Sequence, residues 1–178
     1  MKRGDEYTIQ YPGLSLGRHE FDWKIEDKFF EALDYSEIKK GNVDVKVILE
    51  KKSSFMELNF EISGKIELEC DRCTVDFYHQ IESSERLIVK FWVSSEEEED
   101  ENEEIIVLSK NQNELNLTTQ LYEYIAVQAP IRRVGCELDG DESLCNQEVL
   151  NMISNLSSSS DDKPTDPRWD KLSGLDLN

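Results

Sequence analysis

Met56-Glu57-Leu58-Asn59-Phe60-Glu61-Ile62-Ser63-Gly64-Lys65-Ile66-Glu67-Leu68-Glu69-Cys70 is the stretch that decides the fold. Every even position except Gly64 is apolar and every odd one is polar, the period of a strand with one buried face. Ser63-Gly64 has the composition of a turn, but parity argues against a hairpin there. A two-residue turn would set Ile62 opposite Lys65 and send each later apolar residue to the wrong face. The pattern predicts one long strand, bent or bulged at Gly64.

The parity then switches. Val75, Phe77, Ile81, Leu87, Val89, Phe91 and Val93 are all odd. A tight turn at Asp71-Arg72 absorbs the switch by pairing Cys70 with Cys73, Leu68 with Val75 and Ile66 with Phe77. Asp71 and Arg72 would then point outward. A slightly wider knuckle does the same, since neither residue favours positive φ. In both cases Cys70 and Cys73 lie side by side at the tip of a hairpin, on its apolar face. Upstream, Val43, Val45, Val47 and Leu49 alternate with polar residues as a further strand.

Helices flank this β region. Residues 27–35 place Phe29, Phe30 and Leu33 on one face. Asn116 is a candidate cap for a clearer helix carrying Leu117, Leu121, Ile125 and Ala129, with Pro130 near its end. Val149, Met152, Ile153 and Leu156 outline a third. The expected fold class is α+β: a curved, mainly antiparallel sheet with a few helices at one face or end.

The chain has 178 residues, about one domain, and 38% hydrophobic residues are enough for a real core. Thirty-nine acids against twenty Lys and Arg give a formal charge of −19. That excess opposes sequence-independent docking on nucleic acid and on anionic membranes, and favours a basic partner surface. The first residues turn acidic where a signal peptide needs an apolar run, and no eighteen apolar residues run together. The expected location is cytoplasmic, without a membrane association and with reduced cysteines.

Residues 1–156 read as a single domain with an acidic loop at 95–104. Within that loop, residues 96–104 hold eight acids in nine positions. They fit a solvated loop between strands or an acidic arm for a basic partner. Residues 157–165 are a Ser/Asp linker. Residues 166–178 form a D-P-R-W tail in which Trp169, Leu172 and Leu175 recur at helical spacing. There Asp166 suits an N-cap and Pro167 a first helical position. Such a tail either folds back on its own domain or docks in a partner's groove.

The candidate chemistry lies in the cysteines. Cys70-Asp71-Arg72-Cys73 has the spacing that converges two thiolates on one metal, and Cys136 and Cys145 would complete a four-thiolate zinc site. The eight residues between the second pair are long for a zinc knuckle, so they are expected to sit away from the Cys70/Cys73 tip. The alternatives are that Cys70 and Cys73 are small apolar core residues or redox-active thiols, although a hairpin is not the βαβ setting of a thioredoxin-type site. His19 and His79 are the only histidines, and His79 shares the parity of the core. The chain carries no Gly-rich phosphate loop, H-E-x-x-H or G-x-S-x-G. No catalytic residue is assigned.

Three blocks in order carry a family likeness. Cys70-Asp71-Arg72-Cys73 after a long strand resembles the C-x-R-C of the YceD-like proteins, the large-ribosomal-RNA-subunit accumulation family. Leu115-Asn116-Leu117, the helix pattern with Glu123, and Pro130 are similar to its second block, and Cys136 falls where that family often carries a cysteine cluster. Asp166-Pro167-Arg168-Trp169-Asp170-Lys171-Leu172 resembles its terminal D-P-R-x-x-x-L. The resemblance implies a non-enzymatic cytoplasmic factor for synthesis, processing or stability of large-subunit (23S) ribosomal RNA. It marks Arg72, Asp166, Pro167, Arg168, Trp169 and Leu172 as motif or partner-binding residues. At −19, such a protein is expected to act through a basic ribosomal protein or rRNA-processing factor, with direct RNA contact weak or absent. The alternative is a zinc-ribbon-like interaction adaptor unrelated to ribosomes.

Overall fold

A computed structural model describes residues 6–91, 105–108, 112–138 and 145–157. The acidic loop, most of the linker and the D-P-R-W tail lie outside these residues. The elements in chain order are β1 (Thr8–Ile9), a 3₁₀ turn (Tyr11–Gly13), β2 (Gly17–Ile25), α1 (Asp27–Glu31), β3 (Gly41–Lys51), β4 (Phe55–Glu69), β5 (Asp76–Phe91), β6 (Ile105–Leu108), β7 (Leu115–Asn116), α2 (Thr118–Ala126), α3 (Gly135–Leu138) and α4 (Gln147–Ser157). Five strands form one sheet in the order β2-β3-β4-β5-β6, and β1 pairs with β7 separately. The fold is α+β, as the patterning predicts.

The long strand is continuous through Gly64 from Phe55 to Glu69. Gly64 has φ +157°, and a Cβ there would lie 2.3 Å from the Asn42 carbonyl oxygen on the neighbouring strand. Only a residue without a side chain fits that approach. Around it the odd residues of β3, the even residues of β4 and the odd residues of β5 share one face. Val45 pairs with Ile62, which pairs with Ser83; Leu49 pairs with Leu58, which pairs with Leu87.

That face is the core. Phe29 and Phe30 of α1 and Leu121 and Ile125 of α2 cover it, with Ile9, Leu115 and Leu117 from the β1–β7 layer. Among the described residues every fully buried side chain is apolar. The N-cap of α2 is Leu117 rather than the expected Asn116, whose side chain, one residue earlier, accepts the Thr118 N–H at 2.9 Å. The opposite sheet face is polar, with Arg86 and Lys52 both on Glu57. No helix among the described residues is long and apolar enough to cross a membrane.

Two further expectations need correction. The β4–β5 register is Leu68 with Phe77 and Ile66 with His79, two residues later on β5 than a tight turn would give. The shift keeps parity, so the apolar faces still match, but it leaves Val75 exposed rather than in the core. The helix expected over 27–35 stops at Glu31, with Leu33 only half-buried after it. The sheet is mainly antiparallel, as expected, and its one parallel pair among the described residues is β5 with β6, Ile88 against Ile105. A parallel pair needs a connection of about a dozen residues or more, and residues 92–104, which include the acidic run, supply it.

Candidate metal centre

The extra length at the β4–β5 tip becomes a knuckle. The Cys70 N–H donates to the Val75 carbonyl at 3.0 Å, and the Thr74 N–H donates to the Cys70 carbonyl at 2.9 Å. Thr74 absorbs the reversal with φ 57°. A two-residue turn would have forced positive φ on Asp71 and Arg72 instead. The wider loop still aims both cysteine side chains inward, and each is 2% exposed.

A second segment is clasped against this knuckle. The Asp71 N–H donates to the Arg133 carbonyl at 2.8 Å, and the Asp71 carboxylate accepts the Arg133 N–H at 2.7 Å. The pair of bonds runs the chain from Arg133 to Gly135 across the tip. Gly135 then packs so closely on Phe77 that a Cβ would stand 2.9 Å from the ring. Outside, Arg72 and Arg132 approach Glu137 at 3.7 and 2.9 Å, and Arg133 pairs with Glu37 at 3.0 Å.

Cys145 completes the cluster. The sulfurs of Cys70, Cys73 and Cys145 all lie within 4.8 Å of one another, and all three residues are buried. The expectation that Cys145 sits away from the tip is therefore overturned. The spacing argument for zinc knuckles assumes that both ligands of a pair share one turn; here Cys145 reaches the tip from beyond α3. Cys136 lies on α3, one residue after Gly135, and its side chain is outside the described residues.

The electrostatics favour a thiolate. Burial pushes the Cys70 thiol up, but backbone N–H groups of Arg72, Gly135 and Cys73, together with the Cys73 side chain, outweigh burial and bring it down to about 7. A thiol that merely filled an apolar gap would need no such donors. A tetrahedral zinc holds sulfur at about 2.3 Å, which sets its sulfurs about 3.8 Å apart. The cluster needs only a small contraction to reach that. Its donor set, soft and anionic, fits zinc better than a hard cation.

Of the residues picked out in sequence, the structure joins Cys70, Cys73 and Cys145, and puts Arg72 beside them on the outer rim. Asp166, Pro167, Arg168, Trp169 and Leu172 lie outside the described residues. Asp71 and Gly135 were missed. Asp71 has the turn-former's short carboxylate, yet its partner is 62 residues away, a distance no local pattern reports. Gly135 immediately before a cysteine was the available signal for a close approach.

The family model described as large ribosomal RNA subunit accumulation protein YceD matches residues 58–176, well over half of the chain. No curated protein and no solved structure gave a match. The match begins within β4, and its span takes in the knuckle, α2, the arginine clasp and Cys145. The chain is a member of the YceD family of large-ribosomal-RNA-subunit accumulation proteins.

Proposed function

We propose that this protein is a cytoplasmic, non-enzymatic factor for the synthesis, processing or stability of large-subunit ribosomal RNA, working through basic protein partners. Family membership supports the rRNA role. One observation supports the protein-mediated route: the chain carries −19, and among the described residues eight lysines and arginines already face acids. Glu20 holds Arg18 and Lys46, Glu67 holds Lys40, Glu57 holds Arg86 and Lys52, Glu137 holds Arg72 and Arg132, and Glu37 holds Arg133. Phosphate binding gains its free energy by releasing counterions from RNA to lysines and arginines. Cations that must first leave a carboxylate offer little of that gain.

The metal reading joins this function as its structural part. Cys70, Cys73 and Cys145, with Cys136 as fourth ligand, would hold zinc. Zinc would tie the hairpin tip, α3 and the start of α4 into one body, with no chemical step asked of it. Metal analysis of the purified chain tests this part: about one zinc per chain is the expected result, lost in Cys73→Ser. A metal-free protein after growth in zinc, with Cys73→Val as stable as the parent, would leave the cysteines as core residues.

The partner reading is tested by salt titration against deproteinised large-subunit RNA and against the mixed large-subunit ribosomal proteins. Weak RNA binding with a flat dependence on salt is expected, and ribosomal-protein binding that falls as salt screens the acids. Tight RNA binding that weakens steeply with salt would overturn it and point to the Arg72, Arg132 and Arg133 rim.

A further inference from the structure

β5 closes the sheet unevenly. β6 pairs only with residues 88–91, so the outer edge of β5 over residues 76–87 has no strand beside it among the described residues. At one end the Cys70 N–H donates to the Val75 carbonyl at 3.0 Å, and at the other the Phe91 N–H donates to the Ser54 carbonyl at 3.2 Å. The register between these points is unbroken. Alternate residues of an antiparallel strand turn their backbone groups to opposite sides. The odd residues of β5 therefore spend theirs on β4. Tyr78, Gln80, Glu82, Ser84 and Arg86 each direct an N–H and a carbonyl to the open edge. Such a row is a template for another strand.

The side chains along this edge select the strand. The core-facing positions of β5 are apolar at Phe77, Ile81, Leu87 and Val89, but between them stand Ser83 and Glu85, both half-buried and paired with Ile62 and Phe60. Among the described residues the buried Ser83 hydroxyl has no hydrogen-bond partner, and Glu85 has no ion pair. Buried polar atoms are normally satisfied. An acid turned inward at a sheet edge penalises any added strand that brings no cation to it. Asp76 and Glu82 are exposed and likewise without an ion pair among the described residues. The opposite edge, β2, is more fully committed: the Tyr7 hydroxyl donates to the Lys24 carbonyl at 3.4 Å, and Glu20 is held by Arg18 and Lys46.

We propose that this edge takes up an extended, lysine- or arginine-bearing segment of a protein partner as a further strand. Its backbone would bond the outward groups from Tyr78 to Arg86, a span of about 30 Å, with a cation beside Glu85. A second copy of the chain fits poorly, because its own β5 would set the same acids against one another. The inference rests on the basic-partner reading for the nature of its occupant, and adds where that partner binds and in what conformation.

The probe is a ten-residue peptide of alternating lysine and threonine, with alternating glutamate and threonine as control, added to the full chain. At about ten times its dissociation constant the lysine peptide should slow amide exchange at Gln80, Glu82 and Ser84 about tenfold, while β3 is unchanged. The glutamate peptide should slow none of them. Ser84→Pro removes an outward N–H that β4 does not use, and should weaken lysine-peptide binding about tenfold. Should it disturb β4 exchange, Glu85→Gln decides instead, with binding about fivefold weaker. No binding, or binding without slowed exchange at those amides, would overturn the proposal. So would slow exchange there in the free protein, which would mean that the chain itself covers the edge, or a second copy where the slowing fades on dilution. The mixed large-subunit ribosomal proteins separate the two readings. Equal binding to the parent and to Ser84→Pro would sink the edge and leave the basic-partner reading standing. Binding to neither, with the lysine peptide still on the edge, would sink the basic-partner reading alone.

Discussion

The middle of the β4–β5 ribbon and its tip belong to the same two strands but are held by different forces. In the middle, Leu58, Phe60 and Ile62 are fully buried within the hydrophobic cluster. Stability there scales with area and asks only for parity and volume. At the tip the strands separate into a knuckle whose sulfurs and amides each need one particular partner. Area-driven packing is non-directional, so it tolerates a register error of two residues. Directional bonds do not. The contrast teaches where this fold is robust and where it is specific.

The middle can be broken first. Phe60 is fully buried and packs edge-on against Tyr124 with ring centroids 5.2 Å apart. Phe60→Ala should cost about 3–5 kcal/mol, a large part of the ~5–15 kcal/mol that holds a domain together. A urea titration should show the midpoint falling sharply with the slope unchanged. A loss below about 1 kcal/mol would mean that the core closes over the gap, and that the middle is less tightly packed than its burial implies.

The tip should respond to what the middle ignores. With metal at a hundredfold above its dissociation constant, chelation removes about 2.7 kcal/mol. The lost hydrogen-exchange protection should concentrate at residues 70–75, 133–138 and 145–150, while β3 and the centre of β4 keep theirs. Protection lost evenly over the whole sheet would erase the distinction between tip and middle.

This division also explains what could be read in advance. The α+β class, the unbroken β4 and the matching faces of β3, β4 and β5 all follow from alternation, a property of neighbouring residues. Gly64 was legible for the same reason, since it interrupts an otherwise strict pattern. The register near Cys70 was not, because two registers that differ by two residues bury the same faces; Thr74, in the left-handed region, selects between them. Nor was the place of Cys145, which depends on how α3 seats on β5. The clasp between Asp71 and Arg133 spans 62 residues and leaves no periodic trace.

Arg133 is where the two kinds of force can be compared on one residue. Its backbone N–H goes to the Asp71 carboxylate at 2.7 Å, in a bond to a charged acceptor. Asp71→Ala removes that bond and releases the segment that leads to Gly135 and the cysteines. It should cost about 1–2 kcal/mol, and exchange at Arg133 and Gly135 should quicken before the β4 amides change.

The smallest effect lies on the other end of the same residue. The Arg133 guanidinium meets Glu37 at 3.0 Å, but the Glu37 side chain is 73% exposed, and an exposed ion pair gains little once side-chain entropy and salt are counted. Its backbone does not depend on the pair, because the Glu37 N–H donates to the Tyr122 hydroxyl at 3.1 Å. Glu37→Gln keeps that bond and the side-chain volume and removes only the charge. The expected change in stability is at most about 0.5 kcal/mol, smaller still at high salt, with no quickening of exchange at Gly135. If Glu37→Gln instead matched Asp71→Ala, the clasp would be held from outside by charge. The tip would then owe its specificity to surface electrostatics rather than to the directed bonds beneath it.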